Sequence, residues 1–156
     1  MPLNPSRKTR DRTERTTIPT IPVLADSSAW IEYDRATGSA VHQRVRQLID
    51  TGGPLAVTEP VVMEVCAGAR SRAHEVELHR FLTSFRLLPF NSVGDFDGAA
   101  SIYRRCRRQG ITPRGLLDCM IACVAARTDA TLLTRDRDLA AIAGVMDLQL
   151  DPASHE

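Results

Sequence analysis

The sequence predicts an α/β fold, a parallel sheet covered by helices on both faces. Three observations carry that prediction. Short apolar runs of strand length alternate after residue 20 with longer segments of helical period. The first and fourth of these runs stop on small polar or acidic residues, as a strand does when it passes into a helix N-terminus. A length of 156 residues with no internal repeat gives room for one sizeable core, hence one domain.

Strand one is read as Ile21 to Ala25. The helix after it carries Trp30, Ile31 and Tyr33, with Trp30 expected as a core anchor, and breaks at Gly38. A second helix, Ser39 to Ile49, sets Val41, Val45, Leu48 and Ile49 on one face. Thr51-Gly52-Gly53-Pro54 is a turn into strand two, Leu55 to Val57. Thr58 is expected to cap a helix whose first turn holds Pro60, where a missing N–H costs nothing. A helix from Ala73 to Phe85 uses Val76, Leu78, Phe81 and Leu82. Leu87 to Phe90 reads as a third strand, put at an edge by Pro89. The helix from Val93 to Gln109 is expected to bury Phe96, Ala99, Ala100, Tyr103 and Cys106, and to end at Gly110. Another runs from Arg114 to Arg127. Strand four, Ala130 to Leu133, ends on Thr134-Arg135-Asp136-Arg137-Asp138, and a last helix and a Leu148 to Leu150 strand follow.

No stretch is apolar for long enough to span a bilayer, and no signal-peptide centre precedes residue 20, so the expectation is a cytoplasmic protein without a membrane partner. Cys66, Cys106, Cys119 and Cys123 fall in helices without paired ligand spacing and read as core thiols of a reduced compartment. The net charge of +1 hides an asymmetry: residues 1–20 hold five basic and two acidic side chains, a net +3, and the rest of the chain is −2. That segment, rich in Thr and Pro, is expected as a basic, disordered leader ahead of a domain over 21–156. Only Lys8 among the 20 basic residues is a lysine. Folds that set a lysine beside a catalytic aspartate are thereby disfavoured, and no glycine-rich phosphate loop or nucleophile elbow occurs.

Four carboxylates stand in apolar company. Asp26 closes strand one and Asp136 follows strand four. Glu64 is the only charge in Val61–Ala69, and Asp118 the only one in Leu116–Ala126; both helices read as buried nearly all round. Asp26 by itself reads as a helix cap, a role that Ser27 or Ser28 can also fill. An isolated buried carboxylate costs several kcal/mol unless something compensates it, on the order of a whole ion pair's worth. A buried arginine can compensate one such group. For four, a shared divalent cation is the better partner, because Mg²⁺ and Mn²⁺ take oxygen ligands and neutralise the mutual repulsion. The chemistry that fits is phosphodiester hydrolysis. Ser28 and Thr134 can hydrogen-bond the carboxylates or a phosphate, Arg114 lies one turn before Asp118, and Asp138 is an accessory acid or a cap.

At these residues the sequence resembles the PIN-domain ribonucleases, and among them the VapC toxins of bacterial toxin–antitoxin pairs. The matching blocks are Val23-Leu24-Ala25-Asp26-Ser27-Ser28-Ala29-Trp30, Glu59-Pro60-Val61-Val62-Met63-Glu64, Leu117-Asp118-Cys119-Met120-Ile121-Ala122 and Thr134-Arg135-Asp136-Arg137-Asp138-Leu139. The resemblance implies a three-layer α/β/α fold with a mostly parallel central sheet. It implies metal ligands at Asp26, Glu64, Asp118 and Asp136, with Asp138 as accessory and Ser28 and Thr134 as polar site residues. It further implies Mg²⁺- or Mn²⁺-dependent endoribonuclease activity on structured RNA such as tRNA or rRNA, inhibition of translation, homodimerisation and neutralisation by a VapB-type antitoxin. Two departures stand out: the leader precedes the family's usual start, and Leu139 stands where an aromatic is common.

Aromatics make up 4% of the chain and form no stacking platform, so RNA contact falls to arginines, of which Arg104, Arg105, Arg107 and Arg108 are the densest run. An exposed charge run is more commonly a solvated face. Two other functions are open on the residues alone. One is a phosphatase using Asp26 as nucleophile, disfavoured by Ser28 at the +2 place and by the missing lysine. The other is a non-catalytic RNA- or protein-binding module whose acidic cluster is structural.

Overall fold

The structure, a computed structural model, describes residues 20–155. The expected leader lies outside the described residues except for Thr20. The elements run β1 (Val23–Ala25), α1 (Ser27–Asp34), α2 (Ala40–Asp50), β2 (Leu55–Val57), α3 (Glu59–Ala67), α4 (Arg72–Leu82), β3 (Arg86–Leu87), α5 (Asp95–Arg108), α6 (Leu116–Thr128), β4 (Thr131–Leu133), α7 (Arg137–Val145) and a 3-10 turn, Pro152–His155. This is the expected alternation.

All strand pairs are parallel, in the order β3-β2-β1-β4, with Val23 opposite both Leu55 and Thr131. Strands buried on both faces need continuous apolar runs rather than alternation, and Val23–Ala25 and Leu55–Val57 are buried at every residue. From β1 the chain steps to β2 and β3 in one direction, then returns past β1 to β4. Right-handed crossovers in opposite directions send their helices to opposite faces. Accordingly α1 to α4 pack on one another as one group and α5 to α7 as another. The reversal makes a topological switch point between β1 and β4. In open parallel sheets that crevice, at the carboxyl ends of the strands, is where ligands bind.

Trp30 is the core anchor expected, 2% exposed and packed edge-on against Phe81 at 5.8 Å. Other expectations are corrected. The third strand is Arg86–Leu87, both exposed, because Pro89 and the turn after it leave only two residues for the ladder. Val76 is exposed, α4 burying Leu78 and Leu82 alone. The last strand is a single bridge, Leu150 to Leu132. Helix α6 begins at Leu116, leaving Arg114 in the preceding loop.

Phe96 also is exposed, since the buried stripe of α5 is Asp95, Ala99, Ile102 and Cys106, while Ala100 and Tyr103 are half-buried. Phe96 packs at the surface on Phe90, centroids 4.9 Å apart. What holds Asp95 in the core is Arg127, 32 residues away: its Nε and Nη2 donate to the two carboxylate oxygens at 3.0 and 2.7 Å. The guanidinium beside it holds the Asp95 carboxyl below its usual range. Helix α5 ends through Gly110, whose φ of 78° is a conformation that suits glycine.

Candidate active site

β1 and β4 end side by side, and the residues that follow them meet. Asp26 is 2% exposed and is itself the N-cap of α1, accepting from the Ala29 N–H at 3.0 Å. The expectation that Ser27 or Ser28 takes over the cap is therefore corrected, and both serines serve carboxylates instead. Ser28 Oγ donates to Asp26 Oδ1 at 2.7 Å, and Thr134 Oγ1, fully buried, donates to Asp26 Oδ2 at 2.7 Å. A carboxylate offers about four lone-pair sites. Among the described residues three are taken, and the one left is on Oδ2.

The hydroxyls also hold the β4 end. Thr134 Oγ1 accepts from the Asp136 N–H at 2.9 Å, and Ser28 Oγ accepts from the Arg135 N–H at 2.8 Å. Asp136 in turn caps α7, its Oδ1 accepting from the Asp138 N–H at 2.7 Å. Arg114 reaches over from its loop, its Nη2 lying 3.3 Å from both Asp136 oxygens and its Nε pairing with Asp138. These carboxylates hold the Arg114 guanidinium pKa above its usual value, Asp138 most strongly.

Glu64 and Asp118 complete the set from the helices. Helix α3 buries Pro60, Val61, Val62 and Val65, while Met63 is 59% exposed and Glu64 is exposed beside it. The expectation that Glu64 is enclosed is corrected: the helix is apolar nearly all round but packed on one side only. Ser27 Oγ donates to Glu64 Oε2 at 2.6 Å and ties it to the start of α1. Ser27 was missed as a site residue; its hydroxyl between Asp26 and Ser28 was the available signal. Asp118 is half-buried in the first turn of α6.

The carboxylates bear on one another electrostatically. Burial pushes the Asp118 carboxyl up to about 6, and after burial the upward push comes from Asp136, Asp26, Glu64 and Asp138. Asp26 also lies at about 6. Burial raises it, the donors Ser28, Thr134 and Ala29 pull it back, and Asp136 adds a smaller upward push. Five acids from four segments of the chain thus share one field. Among the described residues no three His, Cys, Asp or Glu side chains are drawn together tightly enough to hold an ion unaided. The donors at hand are all oxygen, two of the carboxyls resist ionisation without a counter-charge, and Asp26 keeps one free lone pair. That donor chemistry fits a hard divalent cation of the Mg²⁺ type, which takes one or two carboxylates and keeps waters as its other ligands.

Arg104, Arg105, Arg107 and Arg108 are not drawn into the site. They lie exposed on α5 and form no ion pair among the described residues.

A PIN domain family model matches residues 23–145, and the chain belongs to the PIN domain family. Within it, the similarity runs to VapC ribonucleases. The chain is 40% identical over 128 residues to VapC ribonuclease Mb1587 of Mycobacterium bovis, covering 81% of this chain and 96% of that one. The same figures hold for Ribonuclease VapC11 of Mycobacterium tuberculosis. In fold it resembles the solved structure of VapBC2 from Rickettsia felis bound to a promoter DNA fragment. The TM-score is 0.66 at 15% identity, over 84% of this chain and 98% of that chain.

Proposed function

We propose that the chain is a cytoplasmic endoribonuclease toxin that hydrolyses RNA phosphodiester bonds with Mg²⁺ or Mn²⁺, inhibits translation, and is neutralised by a VapB-type antitoxin. Asp26, Glu64, Asp118 and Asp136 are the residues that would hold the metal. The single observation behind this is Asp118, a half-buried acid pushed up to about 6, first by its burial and then by the charges of Asp136, Asp26, Glu64 and Asp138. Clustered like charges that disfavour their own ionisation are a site awaiting a cation. The 40% identity to mycobacterial VapC ribonucleases supports the same reading.

When bound, a divalent cation supplies Lewis-acid polarisation of the scissile phosphate and a water acidified for attack. The chain's own residues do the positioning. Ser28 and Thr134 fix both oxygens of Asp26, Ser27 holds Glu64 to α1, and Arg114 orients Asp136 and Asp138. Arg114 is 74% exposed, so the guanidinium edge not turned to Asp136 and Asp138 can contact an RNA phosphate. Arg104, Arg105 and Arg108 are assigned to RNA backbone contact, tRNA or rRNA being the substrate class, and the active form is taken as a homodimer.

The test is cleavage of total bacterial RNA by the purified protein in Mg²⁺ or Mn²⁺. Activity is expected with metal, none in EDTA, and none for Asp118→Asn with the fold intact by circular dichroism. Equal activity in EDTA, or in Asp118→Asn, removes the proposal.

A further inference from the structure

We propose that the C-terminal turn Asp151–Ser154 positions the acidic site, Ser154 being the positioning residue and Arg44 its anchor through Asp151. The inference rests on the ribonuclease reading above. Its turn, though not Arg44, lies beyond the family match, which ends at 145.

After α7 the chain lies along the open edge of β4. Leu132 N–H donates to Gln149 C=O at 2.9 Å and Asp151 N–H donates to Leu132 C=O at 2.7 Å, one rung of a parallel ladder around Leu150. The next rung requires Thr134 N–H to donate to Asp151 C=O, because alternate residues of a parallel strand donate to the same neighbour. That carbonyl is turned away and accepts from Ser154 N–H at 2.8 Å. Ser154 Oγ takes its place, accepting from Thr134 N–H at 3.1 Å and donating to Leu132 C=O at 3.4 Å. A side chain thus supplies the acceptor that a buried main-chain N–H must find.

Thr134 is the pivot of the site. It is fully buried, with Oγ1 donating to Asp26 and accepting from Asp136 N–H. Fixing its main chain therefore fixes the hydroxyl that orients Asp26 Oδ2. The turn that carries Ser154 is locked in its own right. Asp151, 2% exposed, accepts from Ala153 N–H at 3.1 Å through Oδ1 and from Arg44 Nε at 3.0 Å through Oδ2. Arg44 belongs to α2, so two segments distant in sequence, α2 and the C-terminal turn, set a residue at the end of β4. An ångström of freedom at a reacting centre is worth orders of magnitude in rate.

The experiment compares wild type, Ser154→Ala, Ser154→Thr and Arg44→Gln, by initial rates on total bacterial RNA in Mn²⁺ and by the Mn²⁺ concentration giving half-maximal thermal stabilisation. Ser154→Ala is expected to lower kcat about tenfold with KM within about twofold, and to raise the half-stabilising Mn²⁺ concentration severalfold. Ser154→Thr, which keeps the hydroxyl, restores both, and Arg44→Gln moves both in the same direction by a smaller factor. A brace with only a structural role lowers the melting temperature and moves neither quantity. Wild-type kcat in Ser154→Ala, or no rescue by Ser154→Thr, overturns the inference while leaving the ribonuclease reading intact. If Ser154→Ala does not fold, an unaltered kcat in Arg44→Gln overturns it instead. Absence of metal-dependent cleavage by the wild type overturns both readings together.

Discussion

Replacing Asp26 by Asn should stabilise the metal-free protein at neutral pH while abolishing cleavage. Asp26 is 2% exposed and its carboxyl is pushed from an ordinary 3.8 up to about 6. At about 1.4 kcal/mol per pH unit, keeping it ionised at pH 7.5 costs the folded state about 3 kcal/mol. The folded protein holds this proton up to about pH 6 while the unfolded chain releases it near 3.8. Wild-type stability therefore falls as pH rises through that window and is fully reduced above it. Asparagine keeps the acceptor for Ala29 N–H and Ser28 Oγ, but its amide faces Thr134 Oγ1, whose own proton loses its partner, at about 1 kcal/mol. The net gain expected at pH 7.5 in EDTA is about 1–2 kcal/mol, a rise in melting temperature of about 5 °C for a domain of this size. It should shrink towards pH 4, where the wild-type carboxyl is protonated in the fold. Thermal melts of both proteins from pH 4 to 8 in EDTA measure it. A less stable Asn variant at pH 7.5, or a gain that does not change with pH, refutes the reasoning.

Other expectations are as direct. Saturating Mn²⁺ should raise wild-type stability by about 2.7 kcal/mol at a hundredfold excess over Kd, and much less in Asp118→Asn, read by melting temperature on titration. Arg127→Ala strips the counter-charge from buried Asp95 and should cost about 3 kcal/mol in urea unfolding, held to the lower end of the buried-pair range by the half-exposed guanidinium. A cost near zero denies that the pair holds α5 on α6. Gly98→Ala would put its Cβ 2.5 Å from Cys123 Sγ and should destabilise by about 1–3 kcal/mol. Adding Cys123→Ala should recover most of that loss, and additive effects would show that the close approach is not the cause.

Some of this was legible in the chain because it is local. The apolar runs Val23–Ala25 and Leu55–Val57 name buried parallel strands, and Pro60 marks a helix start. Asp26 and Asp136 could be placed at strand ends because the runs stop there. Other features were illegible for a common reason, that burial depends on which neighbours arrive. Phe96 reads as core by residue type, yet Asp95 takes the buried place since Arg127 comes from another helix to neutralise it. Glu64 reads as enclosed because its helix is apolar, yet one side of that helix stays open.

The sequence by itself determined the class of fold, the order of its elements and the identity of the acids, through period, strand length and isolated charge. Only the tertiary structure decided that β4 returns to lie beside β1, so that Thr134 reaches Asp26 across 108 residues and the C-terminal turn reaches Thr134 in its turn. Hydrogen bonds act over about 3 Å and carry no trace along the chain. Which donors share a carboxylate is settled only when the strands have paired.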